Sequence, residues 1–188
     1  LTMIKDVFIH PTAEVSKDSK IGDGTKIWNL AQIRENAIIG KNCVISKNVY
    51  IDENVIIGSN VKIQNNVNVY HGVTIEDDVF LGPSMTFTND MYPRSFNKDW
   101  IVTNTLVKKG ASIGANVTIR CGITIGKYAM IGSGSVVTKD VLPYSLVVGN
   151  PAKQIGYVCK CGMKLDEKMI CQKCHKKYIL KEGIIVEK

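Results

Sequence analysis

Val61–Arg94 reads VKIQNNVNVYHGVTIEDDVFLGPSMTFTNDMYPR. Within it a large apolar residue returns at every sixth place: Ile63, Val69, Ile75, Leu81 and Phe87. At Asn89 the pattern stops, and it does not resume until Val107. Followed backwards, the same steps meet Ile57, Ile51, Ile45, Ile39, Ile33, Ile27, Ile21, Val15 and Ile9. Followed forwards from Val107 they meet Ile113, Ile119, Ile125, Ile131 and Val137. Four residues after most of these stands a small or apolar partner, for example Ala31, Cys43, Val49, Val67 and Ala129. Cys43 therefore belongs to the inward series and reads as a small core residue.

The place just before that partner is rich in Asn, Asp and Gly. Asp18, Gly24, Asn36, Asn42, Asn48, Asn54, Asn60, Asn66, Gly72, Asp78, Asn116, Gly122 and Gly134 all occupy it. These residue types accept a left-handed backbone, so the place predicts a corner. A six-residue unit of short strand plus corner cannot bury its own apolar residue, so units must stack. The expected fold is all-β: a parallel β-helix of triangular section, with three hexapeptides to a coil and coils at strand spacing, roughly 4.8 Å.

Two segments fall outside this plan. Residues 89–106, NDMYPRSFNKDWIVTNTL, are an ejected loop of about fourteen extra residues, with Tyr92, Phe96 and Trp100 along it. A long loop on a rigid scaffold carries a site or reaches a neighbouring subunit, and both can hold. Beyond Gly156 the composition turns to Cys and Lys, which divides the chain into a β-helix domain, 1–156, and a small Cys-rich tail, 157–188. Cys159-x-Cys161 and Cys171-x-x-Cys174 in that tail suit a tetrahedral metal site. The first pair is one residue shorter than the common spacing, and His175 is not assigned as a ligand.

The net charge is +7, but the tail holds eight Lys against four acids, leaving sixteen Lys/Arg against thirteen acids elsewhere. That balance is too mild for a nucleic-acid surface and suits a site for a few phosphates. No apolar run approaches membrane length and no signal-peptide pattern is present, so neither a membrane nor export is expected. The expected location is cytoplasmic, with the six Cys as reduced thiols or metal ligands. The opening Leu1-Thr2-Met3 leaves the nature of the start open.

The repeat also places side chains. Val69 and Phe87 differ by one coil, so the second residues after them, His71 and Asn89, stack at one corner. Glu35 and Glu53 continue that column below, and, if the loop leaves and returns at a single corner, Cys121 and Lys139 continue it above. Histidine is the usual general base near neutral pH. Asn89 can accept a hydrogen bond from an amine or donate one to an oxyanion. Asp90 either orients one of them or is only a corner residue in the left-handed place. The run IGSGSVVTKDVLPYSLVVGNPAKQIG, Ile131–Gly156, reads as an edge for a phosphorylated carrier. Gly132, Ser133, Lys139, Pro151 and Lys153 are its expected contacts.

The hexapeptide ladder and the GNPAK ending resemble the hexapeptide-repeat acyltransferases, and that resemblance implies left-handed coils and acetyl-CoA at this edge. KIQNNVNVY (Lys62–Tyr70), EDDVFLGPSMTFTND (Glu76–Asp90) and Pro93-Arg94 resemble more closely the acetyltransferases of nucleotide-linked 3-amino sugars used in bacterial surface polysaccharides. The resemblance covers nearly all of residues 9–156. It implies a homotrimer in which acetyl-CoA and a UDP- or dTDP-linked amino sugar meet between subunits, with Asn89 at the reacting amine. Arg34, Asn66, Tyr70 and Arg94 are the expected substrate contacts. Many such relatives carry an acidic residue where His71 stands, so either His71 or the departing thiolate takes the proton. CKCGMKL…CQKCHKKY resembles a zinc ribbon, with Cys159, Cys161, Cys171 and Cys174 as ligands. Other hexapeptide acyl transfers, to a different amine or a hydroxyl, and a non-catalytic scaffold are the alternatives. A prism-shaped carbonic anhydrase would need three His ligands, and only His71 lies well inside the coils.

Overall fold

The computed structural model describes residues 6–181 and 183–188, with the side chain of Ile184 set aside; the Leu1-Thr2-Met3 start lies outside them. Three parallel sheets form the walls of a prism. One runs from Phe8–Ile9 through Lys26–Ile27, Val44–Ile45, Lys62–Ile63, Phe80–Leu81 and Ser112–Ile113 to Met130–Ile131. The second runs from Glu14–Val15 to Val136–Val137, the third from Lys20–Ile21 to Thr124–Ile125. Partners within a wall are eighteen residues apart, as in Ile27 with Ile45 and Ile33 with Ile51. The chain is thus a parallel β-solenoid of hexapeptide repeats.

The inward ladder fills the prism. Ile27, Ile45, Ile51, Ile63, Leu81, Phe87, Ile113, Ile119 and Ile125 are fully buried. Each such side chain contributes roughly 1.5–3 kcal/mol on leaving water, and each does so only through its neighbouring coils. Cys43 is likewise buried, its Sγ 3.1 Å from the Gly58 carbonyl oxygen, and burial pushes its thiol pKa up. The first coil differs. Ile9 is 43% exposed and Val15 and Ile21 are half-buried, because no coil among the described residues lies beneath them.

The corners follow the pattern with two exceptions. Every Asn and Gly predicted to turn left-handed does so, from Gly24 and Asn36 to Asn116 and Gly134, as does Asp78. Asp18 and Asp90 do not. At Asp90 the chain has already left the prism, so no corner is turned; its Oδ1 accepts the Tyr92 N–H at 2.9 Å instead. Leu30, Ser84 and Tyr128 take the left-handed place without a permissive side chain, because their position in the repeat demands it.

The loop is an insertion at one corner. Ile75 pairs with Val107 and Thr86 with Thr118, each thirty-two residues on, which is fourteen more than a coil. The ladder resumes at Thr105, two residues earlier than the apolar period suggests. The Thr103 N–H donates to the Asn89 carbonyl at 3.0 Å and closes the base of the loop. At the far end the coil shortens by two: Ile131 pairs with Val147 and Ile125 with Val141. Strand Lys153–Tyr157 then returns antiparallel to Ser145–Val148, across the expected 156/157 boundary. The tail ends in the hairpin Tyr178–Lys181 with Ile184–Glu187. Its small core of Cys159, Leu165, Cys171, Tyr178 and Ile185 includes Tyr144 of the prism. No helix long and apolar enough to cross a membrane is present among the described residues.

Coil contact also sets which glycines are irreplaceable. A Cβ on Gly58 would lie 2.6 Å from the Asp77 backbone nitrogen of the next coil, whereas one on Gly134 would meet open space. Gly134→Ala then costs only the left-handed strain at φ +73°, roughly 1–2 kcal/mol. Thermal unfolding is expected to show a clearly larger fall in Tm for Gly58→Ala than for Gly134→Ala; the reverse order would contradict the coil packing.

Candidate active site

The second and third sheets meet at a corner whose first two residues form adjacent columns up the prism. One column is Arg34, Asp52, Tyr70 and Thr88; the other is Glu35, Glu53, His71 and Asn89. The predicted stacking of His71 and Asn89 is present: Asn89 Nδ2 lies 3.5 Å from the His71 carbonyl oxygen, the outer limit for a hydrogen bond. His71 Nδ1 faces Glu53 Oε1 at 3.7 Å. Cys121 does not continue the column outward. Its side chain is fully buried and its N–H donates to Thr88 Oγ1 at 2.9 Å, so the loop base interrupts the corner there.

Beneath His71 the polar groups form one connected set. Arg34 binds Glu35 with Nε at 2.6 Å and a second guanidinium nitrogen at 2.9 Å, and reaches the Tyr50 hydroxyl at 3.2 Å. The Arg34 hydrogen bonds hold the Glu35 carboxyl down at about 2. The Tyr50 hydroxyl donates to Asp52 Oδ1 at 2.8 Å. Burial opposes ionisation of Asp52, but the backbone N–H groups of Glu53 and His71, with that hydroxyl, outweigh it and keep its pKa below the usual range. Tyr50 and Tyr70 rings lie 6.2 Å apart and tilted, walling the corner.

Two cavities flank the His71–Asn89 pair. One, of about 500 Å³, is lined by Asn54, His71, Gly72, Thr74, Asn104 and Gly122 over the third sheet. Thr105 also lines it, and its buried hydroxyl has no hydrogen-bond partner among the described residues. The other, of about 470 Å³, lies under the loop against Asn89, Asp90, Pro93, Arg94 and Trp100. Arg34, Tyr70 and Arg94 thus join the corner or its cavities. Asn66 does not: it sits at a different corner, left-handed, with its Oδ1 accepting from Asn48 Nδ2 at 3.1 Å.

The candidate carrier edge is split as well. Gly132 and Ser133 stand at the corner of Asn66, while exposed Lys139 stands at the corner of His71. Pro151, after a cis Asn150–Pro151 bond, and Lys153 follow the Gly149 turn, both exposed. Buried Ser135, absent from the sequence-based set, clasps this edge. Its Oγ donates to the Gly132 carbonyl at 2.6 Å and accepts the Gly149 N–H at 3.1 Å.

In the tail the four sulfurs of Cys159, Cys161, Cys171 and Cys174 lie within 4.8 Å of one another and could hold a metal ion. Cys159 and Cys174 are 3.4 Å apart, Cys161 and Cys171 3.5 Å. A tetrahedral zinc with bonds of about 2.3 Å asks for separations near 3.8 Å, so the donor set fits. Burial works against the Cys171 thiolate, yet the N–H groups of Cys174 and Lys173 bring that thiol down to about 6. His175 takes φ +58° and serves the turn, not the cluster.

The family description "Bacterial transferase hexapeptide (six repeats)" matches residues 18–53, 30–65, 54–84 and 104–139, leaving out most of the loop and all of the tail. The chain belongs to the hexapeptide-repeat transferase family. A curated relative is the dTDP-3-amino-3,6-dideoxy-alpha-D-galactopyranose 3-N-acetyltransferase of Aneurinibacillus thermoaerophilus, 48% identical over 96 residues. That match covers 50% of this chain and 46% of the relative, so it spans about half the length of each. Among solved structures, the N-acyltransferase AntD of Bacillus cereus, bound to dTDP-4-amino-4,6-dideoxyglucose and coenzyme A, has a TM-score of 0.53 at 20% identity. The alignment covers 78% of this chain and 84% of AntD. The acetyltransferase domain of PglB from Neisseria gonorrhoeae has a TM-score of 0.50 at 21% identity, over 79% of this chain and 57% of that one. Both share the fold of this hexapeptide transferase.

Sequence reading missed Tyr50, Asp52 and Ser135. Asp52 and Tyr50 were legible as neighbours of the Glu53 coil; Ser135 carried no signal beyond a polar residue at an inward partner place. The depressed Asp52 pKa has a direct consequence. Its contribution to stability is complete above the ordinary Asp pKa, near 4, and is lost as pH falls through the lower folded value. Asp52→Asn is therefore expected to melt below wild type at pH 7, with the gap closing as pH falls below the ordinary Asp range, near 4. A gap constant with pH would contradict the assignment.

Proposed function

We propose that the protein transfers an acetyl group from acetyl-CoA to the amine of a nucleotide-linked 3-amino sugar. The observation that carries this reading is the imidazole–carboxamide pair, His71 and Asn89, at the root of the ejected loop between two cavities. The Aneurinibacillus relative, named for dTDP-3-amino-sugar N-acetylation, supports the substrate class. A UDP- or dTDP-linked sugar for bacterial surface polysaccharide, made in the cytoplasm, fits the mild positive charge of the prism.

The neutral amine attacks the thioester carbonyl and forms a C–N bond. The tetrahedral intermediate collapses by breaking the C–S bond, and CoA leaves as thiolate. Asn89 holds the amine or the oxyanion. With Nδ1 turned to Glu53, His71 has Nε2 free to take the amine proton; otherwise the thiolate takes it. Asp90 orders the loop through Tyr92, and Arg94 supplies charge for the diphosphate. Holding two large substrates in register provides much of the acceleration. Gly132, Ser133, Pro151 and Lys153, with Lys139 from the next corner, hold the carrier. Because these groups lie at different corners, a complete site needs a neighbouring subunit, and a homotrimer supplies one.

The tail, 157–188, is a second unit in which Cys159, Cys161, Cys171 and Cys174 hold zinc. The ion supplies a structural crosslink, and the chain couples it to the prism. Cys159 Sγ lies 3.2 Å from the Tyr178 hydroxyl, Tyr178 tilts against Tyr144 at 5.5 Å, and Tyr144 stacks on Tyr128 at 5.3 Å.

Mass spectrometry of reactions with acetyl-CoA and UDP- or dTDP-3-amino sugars is expected to show one added acetyl group on nitrogen. Asn89→Ala is expected to lower turnover at least about tenfold at little cost in Tm, and by about 10²–10³-fold if it is an oxyanion donor. His71→Ala is expected to lose most near neutral pH and recover partly at higher pH, where more amine is already neutral. Acetylation of other acceptors alone, or full turnover in Asn89→Ala, would refute the reading. A separate expectation concerns the metal: elemental analysis finds one zinc per chain, and chelation or Cys171→Ser lowers Tm. Unchanged melting after complete zinc removal would contradict a structural site.

A further inference from the structure

The corner raises the question of what holds His71 in place. Ladder hydrogen bonds end one residue before it: the Asp52 N–H donates to the Val69 carbonyl within the wall. The N–H groups of the next column, at Glu53 and His71, have turned away from the wall. Left unpaired in a partly buried corner, each would cost a lost hydrogen bond.

One side chain takes both. Asp52 Oδ1 accepts the Glu53 N–H at 2.9 Å, and Oδ2 accepts the His71 N–H at 3.1 Å. The Asp52 side chain is 18% exposed, well below its neighbours Arg34, Glu53 and His71. It is fixed in turn by the Tyr50 hydroxyl, with Arg34 3.9 Å away. His71 is therefore held from below, its N–H by Asp52, and Asn89 Nδ2 stands over its carbonyl at 3.5 Å. The two residues whose N–H groups Asp52 binds, Glu53 and His71, are the two whose side chains face each other.

We propose that Asp52, locked by Tyr50, is the positioning residue of the site: it sets the imidazole of His71 and its partner Glu53 in register with Asn89. The proposal rests on His71 acting in the acetyl transfer described above. Asp52 touches no reacting atom and acts only through the backbone of the two residues it binds. Asparagine in its place keeps the shape but offers one acceptor oxygen where two are used. Its amide group must then face either the His71 N–H or the Tyr50 and Glu53 donors. Tyr50→Phe removes one anchor of the carboxylate and so loosens its hold on both corner N–H groups without removing either acceptor oxygen.

The test is a double-mutant cycle on kcat, with Michaelis constants and Tm measured for every variant. Asp52→Asn is expected to lower kcat roughly tenfold with Michaelis constants nearly unchanged, and Tyr50→Phe to lower it less. In a His71→Ala background Asp52→Asn is expected to cost almost nothing further, because the group it positions is gone. Equal losses with and without the imidazole would overturn the proposal while leaving the His71 role intact. Wild-type kcat in His71→Ala would overturn both. Should Asp52→Asn fold poorly, Tyr50→Phe carries the same cycle, and amide hydrogen exchange gives a readout independent of activity. Protection at the His71 N–H is expected to fall in Tyr50→Phe more than protection in the wall strands; unchanged protection there would also overturn the proposal.

Discussion

Each six-residue unit carries one large apolar side chain and has no way to bury it alone. Burial requires a coil above and a coil below, and this constraint forces the register of eighteen. Register then turns spacing along the chain into columns in space. Ile27, Ile45, Ile63 and Leu81 become one inward column, and the corner residues become outward ones. The site depends on that geometry. Glu53, His71 and Asn89 stand over one another because the core residues preceding them, Ile51, Val69 and Phe87, must.

The corner columns meet a second constraint. Wall strands satisfy their own backbone, but corners expose N–H groups that no wall strand accepts. Elsewhere on the prism short side chains answer this: Ser59 Oγ accepts the Lys41 N–H, and Asp77 Oδ1 accepts the Ser59 N–H. At the site corner Asp52 answers it twice and draws in Tyr50 and Arg34. The same chemistry that closes a corner thus builds a preorganised platform under an imidazole. The inserted loop rises one coil above, where the stack of Asn89 on His71 ends.

Much of this was legible in the sequence, for a physical reason. A strict period with one face buried leaves a one-to-one map from residue number to wall, so the walls, the corners, the fourteen-residue insertion and the His71–Asn89 stack follow from counting. What escaped counting depends on side-chain reach or on departures from the period. Cys121 keeps its place in number yet turns inward, because the loop base displaces the corner. Lys139 stands, as counting places it, in the column of His71 and away from Gly132, so a carrier edge read as one continuous run divides between two corners. Asn66 reads as a substrate contact by its surroundings in sequence, yet occupies an asparagine ladder at another corner. The roles of Tyr50 and Ser135 arise from hydroxyl hydrogen bonds across or between coils, which no apolar period records.

The central claim is that acetyl transfer takes place at the corner of His71 and Asn89. A crystal structure with coenzyme A and an unreacted dTDP- or UDP-3-amino sugar tests it most directly. The account predicts the sugar amine within hydrogen-bond reach of Asn89 and near His71, with the CoA sulfur close enough for a thioester carbonyl to lie about 3–3.5 Å from the nitrogen. A sugar nucleotide bound with its amine remote from this corner, or a carrier sulfur directed to another wall of the prism, would contradict it.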